Sequence, residues 1–397
     1  MTSPATQSSN APAPRTYFAA LDGLRGIMAL LVALFHVPWL NFVTNRIFTD
    51  NVYVILDLFF VFSGFLMFTL YAEKMSERRY SASRFLVRRM ARLYPLHFFL
   101  LLCFAAWTVV RTVLHTTGLA DGETPYLFAA DSPESLWNFM TELTLLNSIG
   151  LASELSFNAA SWTIGAEFLC YILFALTVPV IGRYMATRAG ISVMVLLVLG
   201  TYGFLSTHFS SMNITYVAGF LRSFAGFYLG VLIAICRNKG VLKITRHKTL
   251  IEVGTLLVCL SFVVLMSGRQ QFLVAPYLFL FVIVFMQDGG AVSKLLARKP
   301  NLYLARISYS VYLNHMLIAV FCDLAIRLVV GTFFPGWVPT MMVGTILLIP
   351  YVAIVVVASE LTFRYVEVPG AKIMNAALAR FIRDPQPQAV DGRSAES

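Results

Sequence analysis

Ten apolar runs, each long enough to cross a lipid bilayer, dominate this 397-residue sequence. A membrane-spanning helix needs about 20 mostly apolar residues, within a range of roughly 17–25. With 58% of its residues hydrophobic and 13% charged, the chain has more apolar surface than a water-soluble protein of this length could hide. We predict an all-α, polytopic membrane helix bundle with spans near 21–40, 52–71, 95–115, 160–181, 190–206, 214–236, 249–267, 272–287, 305–329 and 339–360.

The loops between these runs alternate in charge. The 72–94 loop has seven Lys and Arg residues, whereas the 116–159 loop has none and carries six acids. Because positively charged loops stay in the cytoplasm, we expect the 116–159 loop outside and both termini inside. The net charge of +10 is then mostly an inner-face excess next to the spans. It indicates the lipid bilayer as a partner and requires no nucleic acid.

The chain divides into one domain and two tails. Residues 1–16 are polar and rich in Pro, Ala and Ser, and we expect a disordered N-terminal tail. A single transmembrane domain should cover 17–372, followed by a cytoplasmic C-terminal tail at 373–397. The five cysteines stand singly within or beside apolar runs, without paired or metal-ligand spacing. The sequence therefore predicts no metal site.

The first run places charge inside an apolar helix. The stretch LDGLRGIMALLVALFHV, residues 21–37, contains Asp22, Arg25 and His36, and ionisable groups within a span usually have a functional reason. Eleven helical steps of about 100° make three turns plus roughly 20°. Arg25 and His36 therefore share one helix face, about 16 Å apart along the axis. We expect Arg25 near the cytoplasmic end and His36 in the outer third of the membrane.

Two acidic residues are predicted at the depth of His36. Asp57 and Glu167 each lie a few residues into a span that starts outside, so both should occupy the outer half. An imidazole with a carboxylate to orient it is the arrangement of a general base. We interpret His36, Arg25, Asp57 and Glu167 as a candidate catalytic group. The alternative is a structural histidine that bonds across helices.

A basic cluster precedes the third span on the inner side. In FLVRRMARLYP, Arg88, Arg89 and Arg92 come just before Pro95, and on a helix Arg89 and Arg92 share a face. Paired guanidinium groups offer bidentate donors to phosphate oxygens. The spacing alone slightly favours the alternative, an anchor on anionic lipids of the inner leaflet.

These stretches together resemble the acyltransferase 3 family of membrane-bound O-acyltransferases. The resemblance covers roughly residues 17–372 and rests on six motifs in the family's order. They are LDGLRGIMALLVALFHV, with ten residues between Arg and His; DLFFVFSGFLM; RFLVRRMARLYP, an R-x-x-R element; SWTIGAEFLCYILF, similar to Trp-Ser-x-x-x-Glu but with Thr163 at the second position; ISYSVYLNHMLI, similar to Ser-Tyr-x-x-Tyr-x-x-His; and RYVEVPG, with Glu-x-Pro.

The resemblance implies a function. Such proteins transfer an acyl group, here expected to be acetyl, from cytoplasmic acyl-CoA to a hydroxyl of a surface carbohydrate or glycolipid. It makes His36 the catalytic base, Arg25 its functional partner, and Arg89 and Arg92 the contacts of the acyl-CoA phosphates. Acyl-CoA is then a donor substrate, and no bound cofactor is expected. The expected location is a bacterial inner membrane, with several passes.

Two further residues are candidates for substrate binding, each with an alternative. Trp162 could stack on a sugar, or anchor its helix at the membrane–water interface. His315, in YLNHM, could line the substrate cavity or bond a neighbouring helix.

A transporter or flippase is the competing class, because its intramembrane ionisable residues relay protons or bind substrate. Repeated halves and paired broken spans would mark a transporter of that kind, and the sequence shows neither. CoA release from acetyl-CoA by the purified protein would separate the two classes.

Overall fold

The computed structural model of the protein describes residues 18–44, 51–117, 128–129, 132–241, 243–335, 340–379 and 382. The expected N-terminal tail and nearly all of the residues beyond 379 lie outside these ranges. Within them the chain forms helices and no strand, which confirms the all-α prediction. The helices are α1 Ala19–Phe35, α2 Ile55–Ser76, α3 Ala82–Thr116, α4 Leu136–Leu143, α5 Trp162–Met185, α6 Arg188–His208, α7 Gly219–Asn238, α8 Lys248–Leu265, α9 Val274–Phe285, α10 Ala291–Leu296, α11 Lys299–Phe333, α12 Met341–Ile346, α13 Leu348–Thr362 and α14 Val368–Ala379.

Short 3₁₀ and π-helical turns adjoin some of these helices. The 3₁₀ turns are Val52–Val54, Ala159–Ser161 and Gly268–Leu273, and a π-helical turn, Phe363–Glu367, links α13 to α14. Because α14 continues to Ala379, a helix crosses the boundary expected at residue 372. That domain boundary stays a prediction.

Nine helical stretches in the described ranges are long and apolar enough to cross a membrane. They correspond to nine of the ten predicted spans. The remaining one is α1, which has 17 residues and so stands at the lower limit for a span. Two helices, α3 and α11, have 35 residues each, about 52 Å at 1.5 Å per residue. In α3 the helix starts at Ala82 and passes through Pro95, so the arginine cluster and the third span belong to one helix.

Glycines set how closely the central helices approach. A Cβ added to Gly64 of α2 would lie 1.8 Å from the carbonyl oxygen of Phe227 on α7, and one on Gly230 would lie 2.0 Å from that of Val61. The same holds where α1 packs on α11, because a Cβ on Gly26 would lie 2.5 Å from the backbone nitrogen of Ala305. Small residues of this kind let helix backbones touch in a lipid environment. Gly64 is therefore a contact between α2 and α7.

The start of the described chain lies at the face that carries the basic loops. The backbone N–H groups of Ala19 and Ala20 donate to the Asp288 carboxylate at 3.0 and 2.8 Å. Asp288, a loop residue distant in the sequence, therefore caps the N-terminus of α1. Burial raises the pKa of Asp288 above its usual value, and the hydrogen bonds from these two N–H groups offset only part of that rise. Phe18 lies beneath the Arg237 guanidinium, 5.0 Å from the ring centre.

Residues 132–161, expected as part of an outer loop, fold down along α3. At one end Arg111 of α3 lies 3.7 Å from Glu134. At the other, the backbone oxygen of Glu142 lies 2.9 Å from Nε2 of His97. Asn158 donates to the carbonyl of Leu313 on α11 at 3.1 Å. These contacts fix the segment between α3 and α11.

We predict that Gly64→Ala destabilises the protein, since the new methyl group would meet the backbone of α7 and cannot be relieved by rotation of a side chain. Overpacking of this kind typically costs about 1–3 kcal/mol. The matched control is Gly200→Ala on α6, where an added Cβ meets nothing within 4 Å. Thermal unfolding of both variants in one detergent checks the prediction. Equal melting temperatures for the two would contradict the close approach of α2 and α7.

Candidate active site

A cavity of about 280 Å³ lies inside the bundle, between α1, α2, α3, α5 and α11. Its lining combines three arginines, one carboxylate and six hydroxyl groups with an apolar wall. The wall follows α2 from Leu56 to Leu70, about 21 Å along that helix. The polar lining residues are Arg25, Ser63, Arg89, Arg92, Thr163, Glu167, Tyr171, Ser308, Tyr309 and Tyr312. A charged lining of this kind belongs to a bundle interior or an aqueous cavity rather than to lipid.

Arg25 reaches the cavity from α1. Its Nε donates to the Ser308 hydroxyl at 3.2 Å, and one terminal nitrogen donates to the carbonyl of Ala305 at 3.2 Å. Asp22, one turn earlier, lies 3.4 Å from the same guanidinium. The close packing of α1 on α11 therefore positions this arginine.

The arginines of α3 divide into two groups. Arg89 and Arg92 line the cavity, and Arg89 donates to the Tyr71 hydroxyl at 3.1 Å. The Nε atom of Arg89 is buried and has no hydrogen-bond partner among the described residues. Arg88 is absent from this lining and stands over the ring of Tyr80, 5.7 Å from its centre. Of the three predicted phosphate contacts, the structure brings two to the cavity.

Glu167 faces the cavity from α5. Its carboxylate accepts a hydrogen bond from the Ser63 hydroxyl at 2.6 Å and another from the Tyr171 hydroxyl. The Ser63 and Tyr171 oxygens also lie 2.8 Å apart, so the three groups form one small network. Ser63 thus lines the cavity, whereas its neighbour Gly64 serves the contact with α7.

Asp57 does not contact His36, and the expected pairing is wrong. Its carboxylate is fully buried against Arg222 of α7, with nitrogen–oxygen distances of 2.6 and 3.0 Å. Arg222 also donates to the carbonyls of Tyr53 and Ile214. The Asp57 side chain points toward α7 rather than toward α1. The pair holds α2 to α7, and a catalytic role for Asp57 has no geometric support.

Trp162 is a core residue rather than an interface anchor. Its side chain is 3% exposed and packs on Phe60, with 6.1 Å between ring centres. The Arg222 guanidinium lies 5.7 Å from its ring centre. Trp162 is absent from the lining of the arginine cavity, so the structure does not bring it to the place where substrate would bind.

His36 meets His315 at the end of α1. The ring centres are 5.0 Å apart. Nδ1 of His36 lies 2.9 Å from the carbonyl of Val32, and Nδ1 of His315 lies 2.5 Å from that of Tyr312. A carbonyl can only accept, so in each neutral ring Nδ1 carries the proton and Nε2 the lone pair. His315 is completely buried, and its Nε2 has no partner among the described residues.

Tyr312 lines the cavity and is a neighbour of His315. Its ring centre is 5.8 Å from that of His315 and 6.2 Å from that of Phe59. Its hydroxyl accepts from Thr163 at 2.9 Å. Neither His36 nor His315 lines the cavity. The predicted base therefore lies outside the arginine-lined space, and Tyr312 is the lining residue next to the histidine pair.

One stretch of α11 touches all the other motif regions. Ser308 bonds Arg25, Tyr309 donates to the carbonyl of Leu93 at 2.5 Å, and Ser310 donates to Glu367 at 2.7 Å. Tyr312 and His315 continue the series toward Thr163 and His36. ISYSVYLNHM is thus the element around which the site is assembled.

Sequence reasoning missed Arg222, the largest fully buried side chain in the described ranges. A signal was present, since an arginine inside an apolar run implies a buried partner. It gave no role to Glu367, the glutamate of RYVEVPG, which is buried in the π-helical turn and accepts from Ser310. No group of three or more His, Cys, Asp or Glu residues able to hold a metal occurs in the ranges that the structure describes.

The chain is similar in sequence to known acyltransferases. A family model for an acyltransferase domain, acyltransferase 3, matches residues 18–360. "Putative peptidoglycan O-acetyltransferase YrhL" of Bacillus subtilis is 26% identical over 323 residues, covering 75% of this chain and 48% of the relative. "O-acetyltransferase OatA" of Staphylococcus aureus is 22% identical over 373 residues, covering 90% and 57%.

A shorter match is to "Protein 2 in picA locus" of Rhizobium radiobacter, 36% identical over 101 residues, which cover 25% of this chain and 51% of the relative. The chain thus spans about half the length of the curated relatives it matches. No solved structure matches it.

We predict that Asp57→Ala strongly destabilises the protein, because it leaves the Arg222 charge buried without its partner. Breaking a buried pair costs about 3–5 kcal/mol. The control is Asp323→Ala, which breaks an exposed pair with Arg327 and should cost about 0–1 kcal/mol. Thermal unfolding in one detergent compares them. Equal stability of the two variants, with activity lost only in Asp57→Ala, would favour a catalytic Asp57 instead.

Proposed function

Since the chain belongs to the acyltransferase 3 family, we propose that it is a membrane O-acyltransferase that moves an acyl group from acyl-CoA to a hydroxyl of a carbohydrate or glycolipid. The observation that supports this most is the cavity itself. It joins an arginine-lined end to a long apolar wall inside a membrane bundle. Acyl-CoA is divided in the same way, because it has charged phosphates at one end and an extended arm that carries the thioester at the other.

The arginine end is the proposed site of the CoA phosphates. Arg89 and Arg92 come from one face of α3, and Arg25 adds a third guanidinium from α1. Guanidinium groups bind phosphate through paired, charge-assisted hydrogen bonds. The unpartnered Nε of Arg89 leaves a buried donor available for such an oxygen. The thioester arm then follows α2 toward Tyr312.

His36 is the proposed general base. With Nδ1 donating to Val32, Nε2 can take the proton from the acceptor hydroxyl. The hydroxyl oxygen attacks the thioester carbonyl, the new C–O bond forms and the C–S bond breaks. The proton on His36 then passes to the leaving thiolate, so that CoA leaves as its thiol. The ring centre of His315 is 5.0 Å from that of His36, and its Nε2 has no partner among the described residues. His315 is proposed to hold the acceptor hydroxyl or to stabilise the protonated His36.

The position of Tyr312 suggests how the cavity connects to His36. Tyr312 lines the cavity and lies 5.8 Å from His315 by ring centres, whereas neither histidine lines the cavity, so we propose that the acyl group reaches His36 when Tyr312 turns aside. We propose a passage that reaches both faces of the membrane, with the donor on the basic-loop side and the acceptor on the other. Tyr312 closes that passage in the present state.

Acceptor and location are proposed from the relatives' names. One relative is named as a peptidoglycan O-acetyltransferase and another as an O-acetyltransferase, which favours acetyl as the group transferred and a cell-envelope glycan as the acceptor. A bacterial inner membrane, with both termini in the cytoplasm, is the location that the basic loops favour.

We predict that His36→Ala leaves a folded protein with at most about a hundredth of wild-type turnover, since a positioned general base contributes roughly 10²–10⁴ in rate. The measurement is release of CoA thiol from acetyl-CoA by purified protein. His208→Ala, at the exposed end of α6, is the control and should keep full activity. More than about a tenth of wild-type turnover in His36→Ala would rule out this base.

We also predict that Arg89→Ala weakens CoA binding by about tenfold or more, because hydrogen bonds to charged groups contribute about 1.5–3 kcal/mol. Arg89→Lys should recover only part of the affinity, since it keeps the charge but loses the planar fork. Arg88→Ala is the neighbouring control, as Arg88 packs over Tyr80 outside the cavity. Calorimetry with CoA decides. Equal losses in Arg88→Ala and Arg89→Ala would mean that the cluster acts only as a general basic surface.

A further inference from the structure

The short helix α4 is amphipathic, but it buries its polar face and exposes its apolar face. Its polar residues Asn138 and Glu142 are 0% and 3% exposed, whereas its apolar residues Leu136, Trp137 and Met140 are 48%, 59% and 43% exposed. A helix on a water-covered surface buries its apolar face and exposes its polar one. The pattern of α4 is that of a helix whose outer surroundings are apolar.

The inward polar face of α4 is fully occupied. Glu142 accepts hydrogen bonds from Ser161 at 3.0 Å and from Ser156 at 3.3 Å. The Asn138 amide donates to the carbonyl of Pro133 and to the hydroxyl of Ser153, both at 2.9 Å. These groups are held by protein rather than by solvent, as backbone and side-chain polar groups must be wherever water is excluded.

The position of the segment beside α3 indicates the same surroundings. Its contacts with α3 run from Arg111 down to His97, about 21 Å along the helix axis. That part of α3 lies within the apolar run 95–115, and its outward side chains Phe98 and Leu102 are exposed hydrophobics. The apolar face of α4 is therefore next to a helix surface that faces lipid.

The chain that returns from α4 extends the same surface. Ile149, Leu151 and Leu155 are exposed hydrophobics. The indole N–H of Trp137 donates to the carbonyl of Leu151 at 2.6 Å, so the large exposed ring leaves no polar atom in need of water. The neighbouring Glu154 is also exposed, and because a carboxylate has to stay hydrated, the proposal places it at the edge of the surface.

We infer that residues 132–161 form a re-entrant segment that enters the membrane from the face opposite the basic loops and contacts the hydrocarbon core of the bilayer. Its lipid-facing surface consists of Leu136, Trp137, Met140, Ile149, Leu151 and Leu155. The occupant is lipid rather than a protein partner, since the surface continues the lipid-facing side of α3. The inference holds whatever reaction the protein catalyses.

Two variants with one added cysteine each test it in reconstituted vesicles of phosphatidylethanolamine and phosphatidylglycerol, against the wild-type protein with its five native cysteines. Met140→Cys lies at the centre of the surface, and Glu154→Cys lies at its edge. A membrane-impermeant maleimide should label Glu154→Cys in intact vesicles and should leave Met140→Cys at the wild-type background. After the vesicles are dissolved in detergent and a membrane-permeant maleimide is added, Met140→Cys should react as well. A spin label at position 140 should collide more often with oxygen than with a water-soluble nickel complex.

Two results would overturn the inference. Labelling of Met140→Cys in intact vesicles at the rate of Glu154→Cys would place α4 in water. Protection of Met140→Cys from the permeant reagent in detergent would show that protein covers this surface.

Discussion

Charged and polar side chains inside an apolar bundle need hydrogen-bond partners, and the fold depends on supplying them. For the charged residues of α1, the packing of α1 on α11 supplies these partners. Gly26 brings the two backbones into contact, so that Arg25 can bond Ser308 and His36 can meet His315. Without that approach the charged groups of α1 would face lipid, at a cost of several kcal/mol each by most estimates. The contact therefore both holds the bundle together and assembles the site.

The cavity lies where this polar pairing is left incomplete. Arg222 and Asp57 satisfy each other and seal α2 against α7. By contrast, Arg89 has a buried nitrogen without a partner among the described residues, and it is the one residue of this kind that lines the cavity. Native proteins rarely leave buried donors unpaired. This nitrogen supports a cavity whose polar contacts are completed by substrate.

The sequence predicted what depends on position along a helix and missed what depends on its neighbours. Apolar run lengths gave the all-α bundle, and helical periodicity placed Arg25 near one end of α1 with His36 at the other. Depth alone could not show which way Asp57 points, because that depends on α7 being its neighbour rather than α1. The same limit hid the role of Arg222 and the burial of Trp162. Composition likewise could not show that Glu142, one of the six acids of the 116–159 loop, is buried on the inward face of α4.

Transfer across the membrane is the central claim, and the side from which each substrate is taken tests it most directly. The protein is reconstituted in one orientation, with acetyl-CoA supplied only at the basic-loop face and a glycan acceptor only at the opposite face. Our account predicts acylated product on the acceptor side and CoA thiol on the donor side, both lost in His36→Ala. Product that forms only when acceptor and acetyl-CoA share the basic-loop face would contradict transfer through the bundle.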